Sequence, residues 1–193
     1  MTEPPSSITV TLGCGVQAEL PLQWIDDHTG IYTFVPLGQV DWVRACATTL
    51  LESIDDALDD EVVDVILTPE AKAITLAYEL CVRLNLPEFI VARKSRKSYM
   101  VDPVNVSVNS ITTAHEQELW FDSVGIEKLR GKRILLVDDV ISTGATMEAL
   151  FTFLRSIDCE VRLIACVLTE GQHREAVGGV PVVSLGHIPL VHR

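Results

Sequence analysis

Asp138 and Asp139 stand side by side at the end of the apolar run Ile134-Leu135-Leu136-Val137. After Val140 and Ile141 comes a small, hydroxyl-rich turn, Ser142-Thr143-Gly144-Ala145-Thr146. The apolar run reads as a strand, and Met147, Leu150, Phe151, Leu154 and Ile157 then recur at helical spacing, so the unit is strand, loop, helix. Such a loop sits at a helix N-terminus, where free backbone N–H groups, hydroxyls and the positive end of the macrodipole suit a phosphate. Either half alone is ordinary, since acids after an apolar run often make a solvated turn and Ser142 or Thr143 could simply cap a helix. Together they suit a ligand that carries a monophosphate and also a cis-diol or a metal.

The elements around this unit alternate. The pattern predicts strands over about 62–67, 88–93, 132–137 and 160–168, with helices over about 39–59, 71–85 and 145–157. The first helix has Val43, Cys46, Ala47, Leu50, Leu51, Ile54 and Leu58 on one face. Strands separated by amphipathic helices argue for an α/β fold with a mainly parallel sheet and helices on both faces. Ligands in such sheets bind beyond the carboxyl ends of the strands, which directs attention to Thr68–Ala73, Arg93–Tyr99 and Asp138–Thr146. Ahead of this region, residues 8–12 and 16–20 read as a hairpin around Gly13-Cys14-Gly15, and 31–35 as a further strand. Gly13, Gly15 and Ala18 match GxGxxA, but Pro21 stands where a helix should run, so this is no dinucleotide fingerprint. Residues 95–121 break the rhythm: Val104–Val108 alternates with period two, and Glu118–Phe121 can return as its antiparallel partner across Ala114-His115-Glu116.

Composition narrows the class. A chain of 193 residues with 48% hydrophobic content suits a single domain with a substantial core. The net charge of -12 disfavours nucleic acid and anionic membrane as partners. Much of that charge lies in Glu52, Asp55, Asp56, Asp59, Asp60, Glu61 and Asp64, a solvated face at a helix end. Cysteines 14, 46, 81, 159 and 166 show no CxxC pair and no zinc spacing, and they fit a reducing compartment. With no secretory leader and no run of transmembrane length, a cytoplasmic location is expected, and Asn105-Val106-Ser107 is then irrelevant as a glycosylation sequon. No GxxxxGK[ST] is present to support a Walker-type site.

The stretch from Ile134 to Met147 resembles the phosphoribosyl pyrophosphate (PRPP) signature of type I phosphoribosyltransferases. The resemblance extends over 62–170 and thins towards both ends. It implies a single domain over 1–193, with a hood from an N-terminal hairpin region, 1–37, and a C-terminal element, 171–193. An antiparallel flap over 95–121 would close on PRPP, and the PRPP loop would span 134–147. It implies that Asp138 and Asp139 bind the ribose hydroxyls and any Mg²⁺, and that Ser142, Thr143, Gly144, Ala145 and Thr146 cradle the 5-phosphate. Many members have Gly where Ala145 stands, so an ordinary helical backbone is expected there.

The same resemblance assigns pyrophosphate to two loops. One is Glu70-Ala71-Lys72-Ala73, where many relatives have a Gly-containing turn, sometimes with a cis peptide; Ala71 and Ala73 leave that bond open here, and Glu70 could equally be a plain helix-start acid. The other is the basic run Arg93-Lys94-Ser95-Arg96-Lys97, with Arg93 and Lys97 foremost and Lys94 beside them; neighbours on an extended chain face opposite ways. The implied reaction replaces the pyrophosphate on C1 of PRPP with a nucleobase nitrogen, with Mg²⁺ held mostly by substrate oxygens and a homodimer as the assembly.

For the base, Val140, Ile141, Phe34 and Val35 are the wall candidates, with Leu37, His187 and Ile188 in the hood; His115, His173 and His192 receive no role. In hypoxanthine-guanine members the residue three after the second acid is an Asp that receives the base proton, whereas this chain has Ser142. That argues against the hypoxanthine-guanine group and leaves adenine, xanthine and orotate; the flap entry Ser95-Arg96-Lys97-Ser98-Tyr99-Met100 and the β-like segment after it look more like the adenine and xanthine group, and adenine is favoured. A non-catalytic PRPP sensor is the alternative class, although no winged helix fits ahead of residue 31.

Overall fold

The computed structural model describes residues 3–108 and 117–193. Its elements run β1 (Ser7–Thr11), β2 (Gln17–Trp24), β3 (Thr29–Tyr32), α1 (Val40–Leu58), β4 (Val65–Pro69), α2 (Ile74–Arg83), β5 (Phe89–Ala92), β6 (Val104–Val108) and β7 (Gln117–Phe121). They continue with α3 (Ser123–Leu129), β8 (Arg133–Ile141), α4 (Ala145–Ser156), β9 (Glu160–Glu170), β10 (Ala176–Val177), β11 (Val180–Ser184), β12 (His187–Ile188) and β13 (Val191–His192).

The central sheet has the order β10-β11-β9-β8-β4-β5, with β12 also paired to β9. All its pairings are parallel except β10 with β11. Two apolar cores hold its faces. One joins α1 and α2 to the sheet and to Leu12, Leu20, Tyr32 and Phe34; the other joins α4 and α3 to the sheet and to Val108, Leu119 and Phe121. On α1 the expected face is buried save Leu51, which lies at its margin.

Strand β8 runs to Ile141 instead of ending at the expected 137, because β9 is longer still and pairs Asp138 with Cys166 and Ile141 with Thr169. Both acids therefore sit in a hydrogen-bonded strand end and not in a free turn. Helix α3 was not expected; Asp122 caps it by accepting from the Gly125 N–H at 2.7 Å. Strands β6 and β7 pair antiparallel with Val104 opposite Phe121, as the alternation predicts. They are anchored in the second core: Val108, Leu119 and Phe121 are buried, and Phe121 stacks on Phe153 with centroids 4.5 Å apart. The expected turn at Ala114-His115-Glu116 lies outside the described residues.

A second sheet, β1-β2-β3-β13, uses both ends of the chain, since Val191 pairs with Gly30 and His192 with Thr29. The thiols of Cys14 and Cys46 lie 3.7 Å apart in this region, and burial with the Cys14 neighbour pushes Cys46 up to about 12. Among the described residues no helix is long and apolar enough to cross a membrane.

Candidate active site

Three strand ends meet at one edge of the sheet. Strand β8 brings Asp138 and Asp139, β4 leads into Glu70–Ala73, and β9 ends in Glu170. The turn after β8 is shaped by Gly144, whose φ of 83° precedes the first residue of α4. Ala145 carries no left-handed φ, in line with the ordinary backbone expected for it. Its N–H bonds the Thr143 hydroxyl at 3.3 Å, and the whole loop from Ser142 to Thr146 lines a recess of about 130 Å³ together with Asp138, Val140 and Ile141. A recess of hydroxyls and first-turn amides fits a monophosphate.

The acids differ in setting. Asp138 accepts from the Asp139 N–H at 2.9 Å; burial, then repulsion from Asp139, pushes its carboxyl well above the usual carboxylate range. Asp139 is buried and ion-paired to Lys72, whose ammonium also donates to the Phe34 carbonyl at 3.2 Å. The donor set here is hard oxygen from two carboxylates, and among the described residues no third His, Cys, Asp or Glu joins them in a metal cage. That set fits Mg²⁺ only as an ion taking most of its ligands from substrate and water, as the resemblance implies.

In the β4–α2 loop the Glu70–Ala71 peptide is cis, the feature that Ala71 and Ala73 had left open. Ala73 is fully buried as the residue preceding α2. The Glu70 carboxylate gathers the basic run: it accepts from the Lys94 N–H at 2.9 Å and from Arg93 Nη1 at 3.3 Å, and lies 3.5 Å from Lys97 Nζ. Partial burial pushes Glu70 up, but the Lys94 N–H, Lys97 and Arg93 outweigh it and its carboxyl lies below the usual range. Arg93 is further fixed by backbone bonds to Trp120 in the ribbon, at 3.0 and 2.7 Å. Of the basic residues it is Lys94, with Lys72, that lines the main cavity, while Arg93 borders a different hollow between β5 and β7. Alternation along the extended chain accounts for the division.

That main cavity holds about 450 Å³ between the second sheet and the strand ends, and it takes in Tyr32, Thr33, Lys72, Val140, Ser142 and Glu170 among others. Of the wall candidates, Val140 faces it, and Phe34 contributes to it while its ring is buried in the core, stacked on Trp42 at 6.1 Å. Ile141 is buried in the second core and Val35 is exposed outside the cavity lining. Leu37 is likewise exposed, Ile188 is fully buried, and His187 is held by Thr169, with Nδ1 and Oγ1 2.9 Å apart.

Glu170 is the residue that sequence reasoning missed. Its signal was an acid directly after the apolar run of β9, but the strand was expected to stop at 168. Burial raises its carboxyl and Asp139 adds to the rise, while the Ser142 hydroxyl and Lys72 draw it back.

An acid pair, a phosphate-sized recess and a cation-lined cavity at the carboxyl edge of a parallel sheet define a nucleotide- or sugar-phosphate-handling α/β protein. Residues 41–185 match the phosphoribosyl transferase domain, and the chain belongs to that family. It is 33% identical over 143 residues to a hypoxanthine/guanine phosphoribosyltransferase of Methanotorris igneus, covering 74% of this chain and 72% of that protein. A protein of the same name from Methanothermococcus okinawensis is 30% identical over 161 residues, 82% of this chain and 81% of its own. Among solved structures, adenine phosphoribosyltransferase from Saccharomyces cerevisiae, complexed with an imino-altritol bisphosphate and adenine, superposes with a TM-score of 0.68 at 15% identity, covering 86% of this chain and 93% of that one. The adenine phosphoribosyltransferase of Thermoanaerobacter pseudethanolicus gives 0.65 at 22%, covering 81% and 88%. These likenesses establish the type I phosphoribosyltransferase fold.

Proposed function

We propose that the protein is a Mg²⁺-dependent purine phosphoribosyltransferase that transfers the 5-phosphoribosyl group of PRPP to a purine with release of pyrophosphate. The observation that carries this is the acid pair Asp138/Asp139 joined directly to the Ser142–Thr146 recess at the N-terminus of α4. In this reading the recess anchors the 5-phosphate through amides and hydroxyls, and the acids orient the ribose hydroxyls. Lys72 and Lys94 attract the pyrophosphate from within the cavity, with the Glu70–Ala73 turn at its side. Arg93 and Lys97 hold that turn through Glu70 and lend it positive charge. Mg²⁺, when bound at Asp138/Asp139 and the substrate oxygens, supplies charge neutralisation for the leaving group. The transfer itself needs little beyond positioning and electrostatic stabilisation.

For the base, Ser142 and the flap entry at 95–100 favour adenine through the family pattern. Relatives at 30% identity and above, matched over most of the chain, support hypoxanthine or guanine. We take the second, because it rests on most of the chain and the first on Ser142 and the look of the flap entry at 95–100. A cytoplasmic homodimer completes the reading, supported by the free cysteines and the family. The test is pyrophosphate release from PRPP and Mg²⁺ with guanine, hypoxanthine, xanthine, adenine and orotate supplied singly. Turnover with guanine or hypoxanthine is expected; turnover with adenine alone would restore the Ser142 argument, and PRPP binding without any turnover would make the protein a sensor.

A further inference from the structure

Glu170 is the one carboxylate among the described residues that line the main cavity. Only 6% of its surface is exposed, and no Lys, Arg or His of the described residues forms an ion pair with it. The nearest cation influence comes from Lys72, which is already engaged by Asp139. A buried charge without a cation is costly unless donors reach it, so such a group is poised to receive N–H donors from a ligand. Its position is fixed from two sides: Ile188 pairs with Glu170 along β12, and Ser142 follows Ile141, whose partner on β9 is Thr169. Glu170 thus stands beside the start of the phosphate recess. The same cavity takes in Ile25, Ile31 and Leu190, apolar surface that suits a planar ring.

Resting on the purine transferase reading, we propose that Glu170 is a specificity-determining residue whose carboxylate accepts hydrogen bonds from the ring N–H and exocyclic amine of a 6-oxopurine. Guanine presents N1–H and the 2-amino group side by side, matching two carboxylate oxygens. Hypoxanthine presents N1–H alone, and adenine sets an acceptor, N1, beside its one amine. A carboxylate therefore orders the bases guanine, hypoxanthine, adenine, because an acceptor facing an acceptor leaves both unpaired.

The test compares wild type with Glu170→Gln and Glu170→Ala, measuring kcat/KM for guanine and adenine, calorimetric PRPP affinity, and binding of GMP and AMP without turnover. Glu170→Gln keeps the shape and removes the charge. It should lower kcat/KM for guanine about 30-fold, mainly through KM, while adenine changes less than about threefold and PRPP affinity holds. GMP binding should weaken in parallel and AMP binding should not. Equal loss for both bases, no loss for either, or a fall in PRPP affinity of the same size would overturn the assignment. If wild type turns over no base, the transferase reading fails, and the Glu170 assignment is then judged by nucleotide binding. Selective weakening of GMP upholds it; unchanged GMP binding, or wild type binding neither nucleotide, refutes it.

Discussion

The Lys72 ammonium is ion-paired with the Asp139 carboxylate, tying the loop after β4 to the acidic end of β8, and the same ammonium bonds the Phe34 carbonyl of the segment after β3. One side chain thereby holds three parts of the site together. Asp139 is buried, so removing its cation leaves a charge without its partner. Lys72 itself is 41% exposed, and solvent screening reduces the effect. Lys72→Met should destabilise the fold by about 1–2 kcal/mol, and Asp139→Asn in the same chain should recover most of that. Urea denaturation of the two single variants and the double variant checks this, and additive losses would mean that the pair is not coupled.

The acid pair itself serves binding at the expense of stability. Burial and mutual repulsion both disfavour the charged form of Asp138, so neutralising the pair should not weaken the fold. Asp138→Asn with Asp139→Asn should leave the melting temperature equal or higher and abolish calorimetric PRPP binding. Retained PRPP affinity would remove the central assignment.

Most of the site-bearing region was legible in the sequence, and the reasons differ by element. The β8–loop–α4 unit was readable because period, composition and chemistry coincide within Ile134–Ile157. The extension of β8 to Ile141 was not, because acids are poor strand formers and only pairing with a long β9 keeps Asp138 and Asp139 in the ladder. Strands β10 to β13 have two to five residues each, too short for periodicity, and depend on edges offered by β9 and β3. Which cation enters the cavity was half legible: alternation separates Arg93 from Lys94, but which of them turns to the cavity depends on Glu70, 23 residues before Arg93 in the chain, gathering its partners by tertiary contact. Glu170 could have been found by applying the strand-end rule to β9 as well as to the other strands.

Gly144 makes the recess possible by a backbone that only glycine adopts freely. Its φ is 83°, and an added Cβ would meet Val177 Cγ1 at 3.0 Å. Gly144→Ala should cost about 1–2 kcal/mol from the left-handed backbone alone, and relief of that strain would turn the amides of Ala145 and Thr146 away from the phosphate. We expect PRPP affinity to fall about 10-fold or more, equivalent to about 1.4 kcal/mol or more. Calorimetry with PRPP and a thermal melt check both parts; unchanged affinity would show that the loop amides do not carry the phosphate.

Asp64 shows how one member of the acidic stretch departs from a solvated face. Its carboxylate accepts from the Arg133 backbone N–H at 2.8 Å, Nε at 3.0 Å and Nη2 at 2.7 Å, locking the start of β8 to the segment before β4. These bonds, the side-chain ones foremost, lower its carboxyl from 3.8 to about 2. A depressed value means that the folded state favours the ionised form: the stabilisation is fully present above 3.8 and is lost as pH falls through about 2. The pair is partly exposed, so we expect Asp64→Asn to cost about 1 kcal/mol at neutral pH. The gap between variant and wild type should stay constant from pH 7 to about 4 and close progressively below that, towards about pH 2. Denaturant midpoints across that range measure it, and a gap independent of pH would show that the Asn amide loses packing and not charge.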